Sequence, residues 1–181
     1  MENFNEHLRE VEYDPFSTAK ARTTISTSVK YQLEKEILNF GDKVLDYGSG
    51  RMMDVLMLTD LGIKCSGYDK YAYYYSKNDE KLLKGEYNVV MCNYIFETIK
   101  TAEEHFDVLD IVRGIKAKRK IVALNNDFHS IRKEWEYMEV YKCYYTGTVY
   151  QRFFDFKTLY AWFGKHKVLE KKSNHLIIEL L

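Results

Sequence analysis

The stretch VLDYGSGRMMD, residues 44–54, decides the fold. An apolar run (Val44, Leu45) meets an acid, Asp46, and then two glycines, Gly48 and Gly50, separated by Ser49. This pattern predicts a short buried strand that runs into a glycine turn. Glycine lets the backbone approach a ligand that a side chain would push away. The amides of the turn and of a following helix start then point at that ligand. A further small residue is expected next, but Met52 and Met53 stand there. Methionine adapts to irregular gaps, so Met52 is expected to pack inward on the sheet rather than touch the ligand.

Working outward, Val29, Leu33, Ile37 and Leu38 fall near helical spacing, which predicts a helix over Ser28–Leu38 stopped by Gly41. KVLDYG reads as a strand, MDVLMLTDLG as a helix ending at Gly62, and IKCSGYD as a second strand. YNVVMCNYIF reads as a third strand, followed by a helix from Thr101 to about Gly114 and a fourth strand, KIVALNN. FDFKTLYAWFGKH reads as helical, and HKVLEKKSNHLIIELL holds two apolar runs suited to a closing hairpin. The rhythm is that of an α/β domain: a compact Rossmann-like fold, mostly parallel, with an antiparallel C-terminal strand. Ligands of such sheets bind beyond the carboxyl ends of the strands, where strand order reverses. Gly48 and Gly50 are expected there. Asp69, about twenty residues after Asp46 and at the end of the second strand, is placed to accept hydrogen bonds from both hydroxyls of a ribose. With the pocket empty, its carboxylate is expected to be solvated.

The bulk properties narrow the function classes. The 181 residues divide into a polar N-terminal segment, 1–20, with the single proline, Pro15, and one domain, 21–181. Lys and Arg total 27, as do Asp and Glu, so the formal charge is zero. That argues against affinity resting on many phosphate contacts. It leaves two local basic groups, Lys116–Lys118–Arg119–Lys120 and Lys165–Lys167–Lys171–Lys172. Three dispersed cysteines, Cys65, Cys92 and Cys143, fit reduced thiols and a cytoplasmic setting. The acidic start, MENFNEHLREVEYDPF, is not a signal peptide, and no apolar run approaches the ~18 residues of a bilayer span, so no membrane partner is expected. His7, His105, His129, His166 and His175 show no metal-ligand spacing, so no metal is expected and surface or capping roles are assigned to them.

The pattern Asp-x-Gly-x-Gly resembles the first motif of class I S-adenosylmethionine (SAM) methyltransferases. Asp46, Gly48 and Gly50 match it, and Asp69 matches the family's ribose-binding acid. ARTTIS (Ala21–Ser26), VLDYGSGRMMDV, CSGYDK, NVVMCNYIFETI and GTVYQRFF (Gly147–Phe154) together are similar to the methyltransferases associated with DNA phosphorothioation systems. That family has glycine where Met52 and Asn93 stand, an acid in place of Met53, and Trp-Asp-Pro in place of Tyr68-Asp69-Lys70. The resemblance implies SAM as cofactor, held by Arg22, Asp46, Gly48, Ser49, Gly50, Asp69 and Cys92. It implies Asn93 and Tyr94 as the residues over the reacting methyl, and nucleic acid or a nucleotide as acceptor. Arg22, Thr23 and Ser26 stand before the first helix, where hydroxyls commonly cap and where this fold can cover the cofactor. Gln151 and Arg152 are expected to face the same opening. A Pro-Pro-Tyr loop and a Pro-Cys nucleophile are absent. A SAM-binding sensor or accessory subunit, without transfer, is the alternative, and a nucleotide-binding interaction module is a third.

Overall fold

The computed structural model describes Ala19, residues 22–71 and residues 79–181. The expected N-terminal segment, 1–20, therefore lies outside the described residues except for Ala19, as do Ala21 and His7.

The apolar runs become strands β1 (Lys43–Tyr47), β2 (Lys64–Tyr68), β3 (Glu86–Asn93) and β4 (Lys116–Asn125). Helices α1 (Thr27–Glu34), α2 (Met53–Asp60) and α3 (Ala102–Gly114) alternate with them. A small antiparallel sheet follows, from β5 (Glu136–Met138), β6 (Cys143–Tyr145) and β7 (Tyr150–Gln151). The chain closes with α4 (Leu159–Phe163), β8 (His166–Lys171) and β9 (His175–Leu180). The main sheet has the order β2-β1-β3-β4-β9-β8. β1 pairs in parallel with β2 and β3, and β3 with β4, while β9 runs antiparallel to both β4 and β8. The single reversed strand is the C-terminal one, as the closing apolar runs predict.

A parallel sheet must bury both faces, and the strand alternation does so. Leu45, Val90, Cys92, Val122, Leu124 and Ile178 pack with Leu109 and Val112 of α3 and with Leu159 and Phe163 of α4. Val44, Val89, Met91, Ile121, Ala123 and Ile177 pack on the other face with Val29 of α1 and Leu58 of α2. No helix among the described residues is long and apolar enough to cross a membrane.

Three elements differ from expectation. Helix α1 stops at Glu34 rather than at Leu38, because Glu36 turns left-handed at φ +54°. The Ile37 N–H then reaches Gln32 O at 2.8 Å and the Glu36 N–H reaches Leu33 O at 3.1 Å, a Schellman stop built on a non-glycine residue. The helical reading of Phe154–His166 shrinks to a 3-10 turn, Phe156–Thr158, and α4, which ends at Gly164 with φ +55°. The β5–β7 sheet carries no strong period in the sequence and was not expected.

Candidate active site

From β1, the chain first moves toward β2 and then crosses back to β3, so strand order reverses at the glycine turn. The end of β2 holds that turn: Gly48 and Ser49 N–H groups both donate to Tyr68 O, at 2.6 and 3.1 Å. Gly48 and Gly50 have φ of +79° and +51°, where a side chain is strained. A Cβ on Gly48 would stand 2.1 Å from Ile95 Cδ1. Asp69 closes the loop back on the turn. Its Oδ2 accepts from the Gly50 N–H at 2.8 Å and its Oδ1 from the Tyr71 N–H at 2.9 Å. Asp69 is half-exposed, as expected of a carboxylate at the mouth of the sheet, and both its oxygens accept from backbone amides.

Met52 is also left-handed, at φ +62°, immediately before α2. That conformation costs a side-chain-bearing residue about 1–2 kcal/mol and is free to glycine. Its thioether turns under the loop, where Ser49 Oγ donates to Sδ at 3.1 Å. Sδ lies 2.3 Å from where a Cβ on Gly67 would stand, so the glycine in β2 is what admits it. Met53, not Met52, is among the described residues on the cavity wall.

The segment before α1 straps the cavity. Arg22 bonds Asp54 of α2 through both ends of its fork (Nη1 to Oδ1 3.2 Å, Nη2 to Oδ2 2.8 Å). The Ser26 N–H donates to the same carboxylate at 2.8 Å, and Ser26 Oγ caps α1 by accepting from the Val29 N–H at 3.3 Å. Arg51 Nε reaches Ala19 O at 2.8 Å on the other side of the turn. Asp46 lies beneath, 4% exposed and not among the described residues that line the cavity. Burial, reinforced by the nearby Asp54 charge and opposed by Arg22, holds its carboxyl well above the usual range.

At the end of β3, alternation separates the expected residues. Cys92 is a core residue with no exposure and is not on the cavity wall among the described residues; burial pushes its thiol up. Its expected cofactor contact is a correction forced by the strand's two-residue period. Asn93 and Tyr94 do line the cavity. Ser28 Oγ donates to Asn93 Oδ1 at 2.7 Å and accepts from Gln32 Nε2 at 3.1 Å, leaving Asn93 Nδ2 without a partner among the described residues. Tyr94 turns left-handed at φ +57°, its N–H on Ala123 O at 2.9 Å. Burial, and the Glu97 charge second, push its hydroxyl to about 12.

Glu97 escaped the sequence reading. It lies in a 3-10 turn (Phe96–Thr98), lines the cavity, and is 1% exposed. Oε1 accepts from the Asn125 N–H; Oε2 has no partner among the described residues. Burial pushes the carboxyl up to about 8, against the lowering effect of the Asn125 bond. The signal that could have found it is an acid flanked by apolar residues in IFETI.

The late motif also splits by alternation. Gln151 faces the cavity, whereas Arg152 turns inward, where Nη2 donates to Lys100 O and Tyr141 O and the guanidinium lies 4.5 Å from the centre of the Trp162 ring. Two histidines correct their expected surface or capping roles. His105 packs among Phe96, Phe154, Trp162 and Phe163, and burial holds its imidazole down at about 4. His175 is buried against Glu170 and also lines the cavity.

These walls enclose about 1340 Å³ beyond the carboxyl ends of β1 to β4. A pocket for one drug-sized ligand takes roughly 300–1,000 Å³, so this cleft is large enough for such a ligand. Gly48, Ser49, Gly50, Tyr68 and Asp69 line one half; Asn93, Tyr94, Glu97, Asn125, Gln151 and His175 line the other.

No protein-family model and no curated protein matches the sequence. Solved structures do match. The CcbJ methyltransferase from Streptomyces caelestis aligns with a TM-score of 0.62 at 11% identity, covering 92% of this chain and 94% of that one. A SAM-dependent methyltransferase from Bacteroides fragilis, in complex with S-adenosyl-L-homocysteine, aligns at 0.56 and 14% identity, covering 94% and 95%. Magnesium protoporphyrin IX methyltransferase from Synechocystis, with bound SAH, aligns at 0.52 and 16%, covering 92% and 91%. The chain has the Rossmann-like fold of these class I methyltransferases.

Proposed function

We propose that the chain is a SAM-dependent methyltransferase acting on a small molecule that enters the cavity beside the cofactor. The observation that carries this reading is the cavity at the switch point, walled by a turn in which Gly48 and Gly50 take positive φ. The residues fit the group: Gly48 and Gly50 leave backbone bare, and the half-exposed Asp69 carboxylate lines the cavity where a ribose would lie. Ser49 lines the same half, Arg22 braces the strap over it, and Asp46 supports the turn from below. SAM, when bound, supplies a methyl on a sulfonium, and alignment of the acceptor with it provides much of the acceleration. Asn93 would orient the acceptor through its free Nδ2, and Tyr94 would offer it a ring.

The placement of the first basic group favours a small acceptor over the nucleic acid that the phosphorothioation-family resemblance implies. Lys116 starts β4, at the amino edge of the sheet, away from the carboxyl-end cavity, and it pairs with Glu86 at 3.1 Å. Arg119 is taken by Glu179 at 2.7 Å. A nucleotide-sized acceptor remains within the same reading, since it needs no extended basic track.

Calorimetry with SAM and SAH tests the site. Wild type should bind both. Gly50→Val should lose binding with an unchanged circular dichroism spectrum, because a branched side chain resists φ +51° and its Cβ would meet Ala19 Cβ at 3.0 Å. Normal binding by this variant would exclude the turn.

A further inference from the structure

Glu97 is a buried acid in the half of the cavity opposite the glycine turn. After Asn93 the strand ends, Tyr94 turns left-handed, and the 3-10 turn swings Glu97 inward beside the carboxyl end of β4. The Asn125 N–H fixes Oε1, so the carboxyl is anchored on one side. Oε2 is buried and has no partner among the described residues, and Glu97 is one of the residues that line the cavity. An unsatisfied buried acceptor is costly, and a fold that keeps one calls for an explanation by function or by an absent ligand. Asn93 Nδ2, on the same wall, is likewise unpartnered. Two buried polar atoms without partners among the described residues thus belong to residues of the cavity wall, which borders the space where an acceptor molecule would lie.

We propose, resting on the methyltransferase reading above, that Glu97 is the general base of the transfer and that the methyl acceptor is protic, a hydroxyl or an amine. The acceptor's O–H or N–H would meet Oε2 while Asn93 Nδ2 holds a neighbouring oxygen or nitrogen lone pair. In the step, the acceptor's heteroatom bonds to the methyl carbon and the carbon–sulfur bond breaks. The electron pair of that bond stays on sulfur as the neutral thioether, and the acceptor's proton passes to Oε2. An acceptor that arrives as an ammonium gives that proton to Oε2 before attack and keeps the positive charge after it.

The proton affinity of Glu97 suits the task, since burial raises its carboxyl to about 8 and a base works best with a pKa near the operating pH. Several groups bear on its titration. Cys92 of β3 and Tyr94 just after it are both pushed up by the Glu97 charge, and the Asn125 N–H of β4 and the Glu97 N–H lower its pKa. The Arg152 N–H, just after β7, bonds the Glu97 carbonyl at 2.7 Å. His175 of β9 lies on the same cavity wall, engaged by Glu170.

The test compares wild type with Glu97→Gln, which keeps an Oε1 acceptor for Asn125. Both are measured for SAH affinity by calorimetry, and the protonated-carboxyl infrared band is followed with pH. Both are also given methyl-labelled SAM with separate panels of primary amines, phenols and alcohols, tertiary amines and thioethers, and a bacterial small-molecule extract. The expected result is a wild-type carboxyl band that titrates near pH 8 and is missing from the variant. SAH affinity should stay within about two-fold, and labelling should fall roughly 10²–10⁴-fold in the variant. Labelled product in the amine or the phenol and alcohol panel assigns the acceptor's heteroatom. A Glu97→Gln protein that retains a tenth or more of the wild-type rate would overturn the proposal. So would labelling confined to the tertiary amines and thioethers, or SAM binding with no labelled product in any panel or in the extract. Failure of wild type to bind SAM or SAH would instead overturn the cofactor reading, and this base with it.

Discussion

Asp69 holds two backbone amides, Gly50 and Tyr71, with its two oxygens. One residue therefore couples the shape of the glycine turn to the end of β2, and in the proposed function it also meets the ribose. Those roles separate by substitution. Asp69→Ala deletes two charge-assisted bonds, each worth roughly 1.5–3 kcal/mol when fully buried but less at this half-buried site. A destabilisation of about 1–2 kcal/mol is expected, together with a SAM affinity lower by ten- to a hundred-fold or more. Asp69→Asn keeps one acceptor oxygen and should lose less of both. Thermal melts and calorimetry on the two variants check this. A destabilised Asp69→Ala protein that binds SAM normally would leave Asp69 as a turn brace alone. Met52 shows the same economy of position. The left-handed φ that a glycine would adopt freely is here imposed on a methionine, and the bare Cα of Gly67 receives its thioether. The sequence places a side chain where the resembled glycine motif has glycine. Only the backbone explains how the turn survives it.

At the scale of elements, the strap of residues 22–27 is tied to α2 by one buried carboxylate. Asp54 is 4% exposed in its side chain and Arg22 33%, so the pair lies between a surface and a buried ion pair. Removing one partner of a buried pair costs 3–5 kcal/mol. Solvent at Arg22 screens that to about 1–2 kcal/mol. Arg22→Gln should therefore melt earlier by that amount and bind SAM more weakly, because the wall formed by Thr24 to Thr27 loses its anchor. Arg22→Lys should fall between, since a single ammonium cannot reproduce the two-pronged bond. Melts and calorimetry on both variants decide. A Gln variant with unchanged SAM affinity would show that the strap does not cover the cofactor. This strap was legible as an Arg-Thr-x-x-Ser segment ahead of a helix, and the strands were legible from their apolar runs. The stop of α1 was not, because a left-handed Glu36 has no compositional mark. The β5–β7 sheet was hidden too: its strands are two or three residues long, too short to show a period. The Cys92 side chain lies in the core because adjacent strand residues, Cys92 and Asn93, face opposite sides of the sheet. Glu97 was missed because an acid next to a predicted strand end reads as solvent-facing until the chain's left-handed turn at Tyr94 is known.

The whole molecule carries buried titratable groups whose effects on stability oppose one another. Glu97 is raised to about 8 in the folded chain, from an ordinary value of 4.5. Between those values the unfolded chain has released the proton and the folded chain retains it. Stability then falls as pH rises, by up to about 1.4 kcal/mol per unit. Asp46, also raised chiefly by burial, acts with the same sign. His105 acts the other way: its imidazole is held down at about 4, from 6.5. Below its unfolded value the unfolded chain takes up a proton that the folded chain refuses, so stability falls as pH drops through that window. The His105 window ends near 6.5, which leaves 6.5 to 8 as the range where the carboxyl effect stands without it. Wild type should therefore lose melting temperature steadily from pH 6.5 to 8. Glu97→Gln has no proton to release and should lose less over that range, with the two curves diverging as pH rises. His105→Phe should show the complementary change, removing the loss of stability toward acid. Melts of the three proteins at half-unit steps from pH 4.5 to 8.5 provide the comparison. Parallel wild-type and Glu97→Gln curves above pH 6.5 would mean that the carboxyl is already ionised in the folded protein, stabilised by a partner that the described residues do not provide.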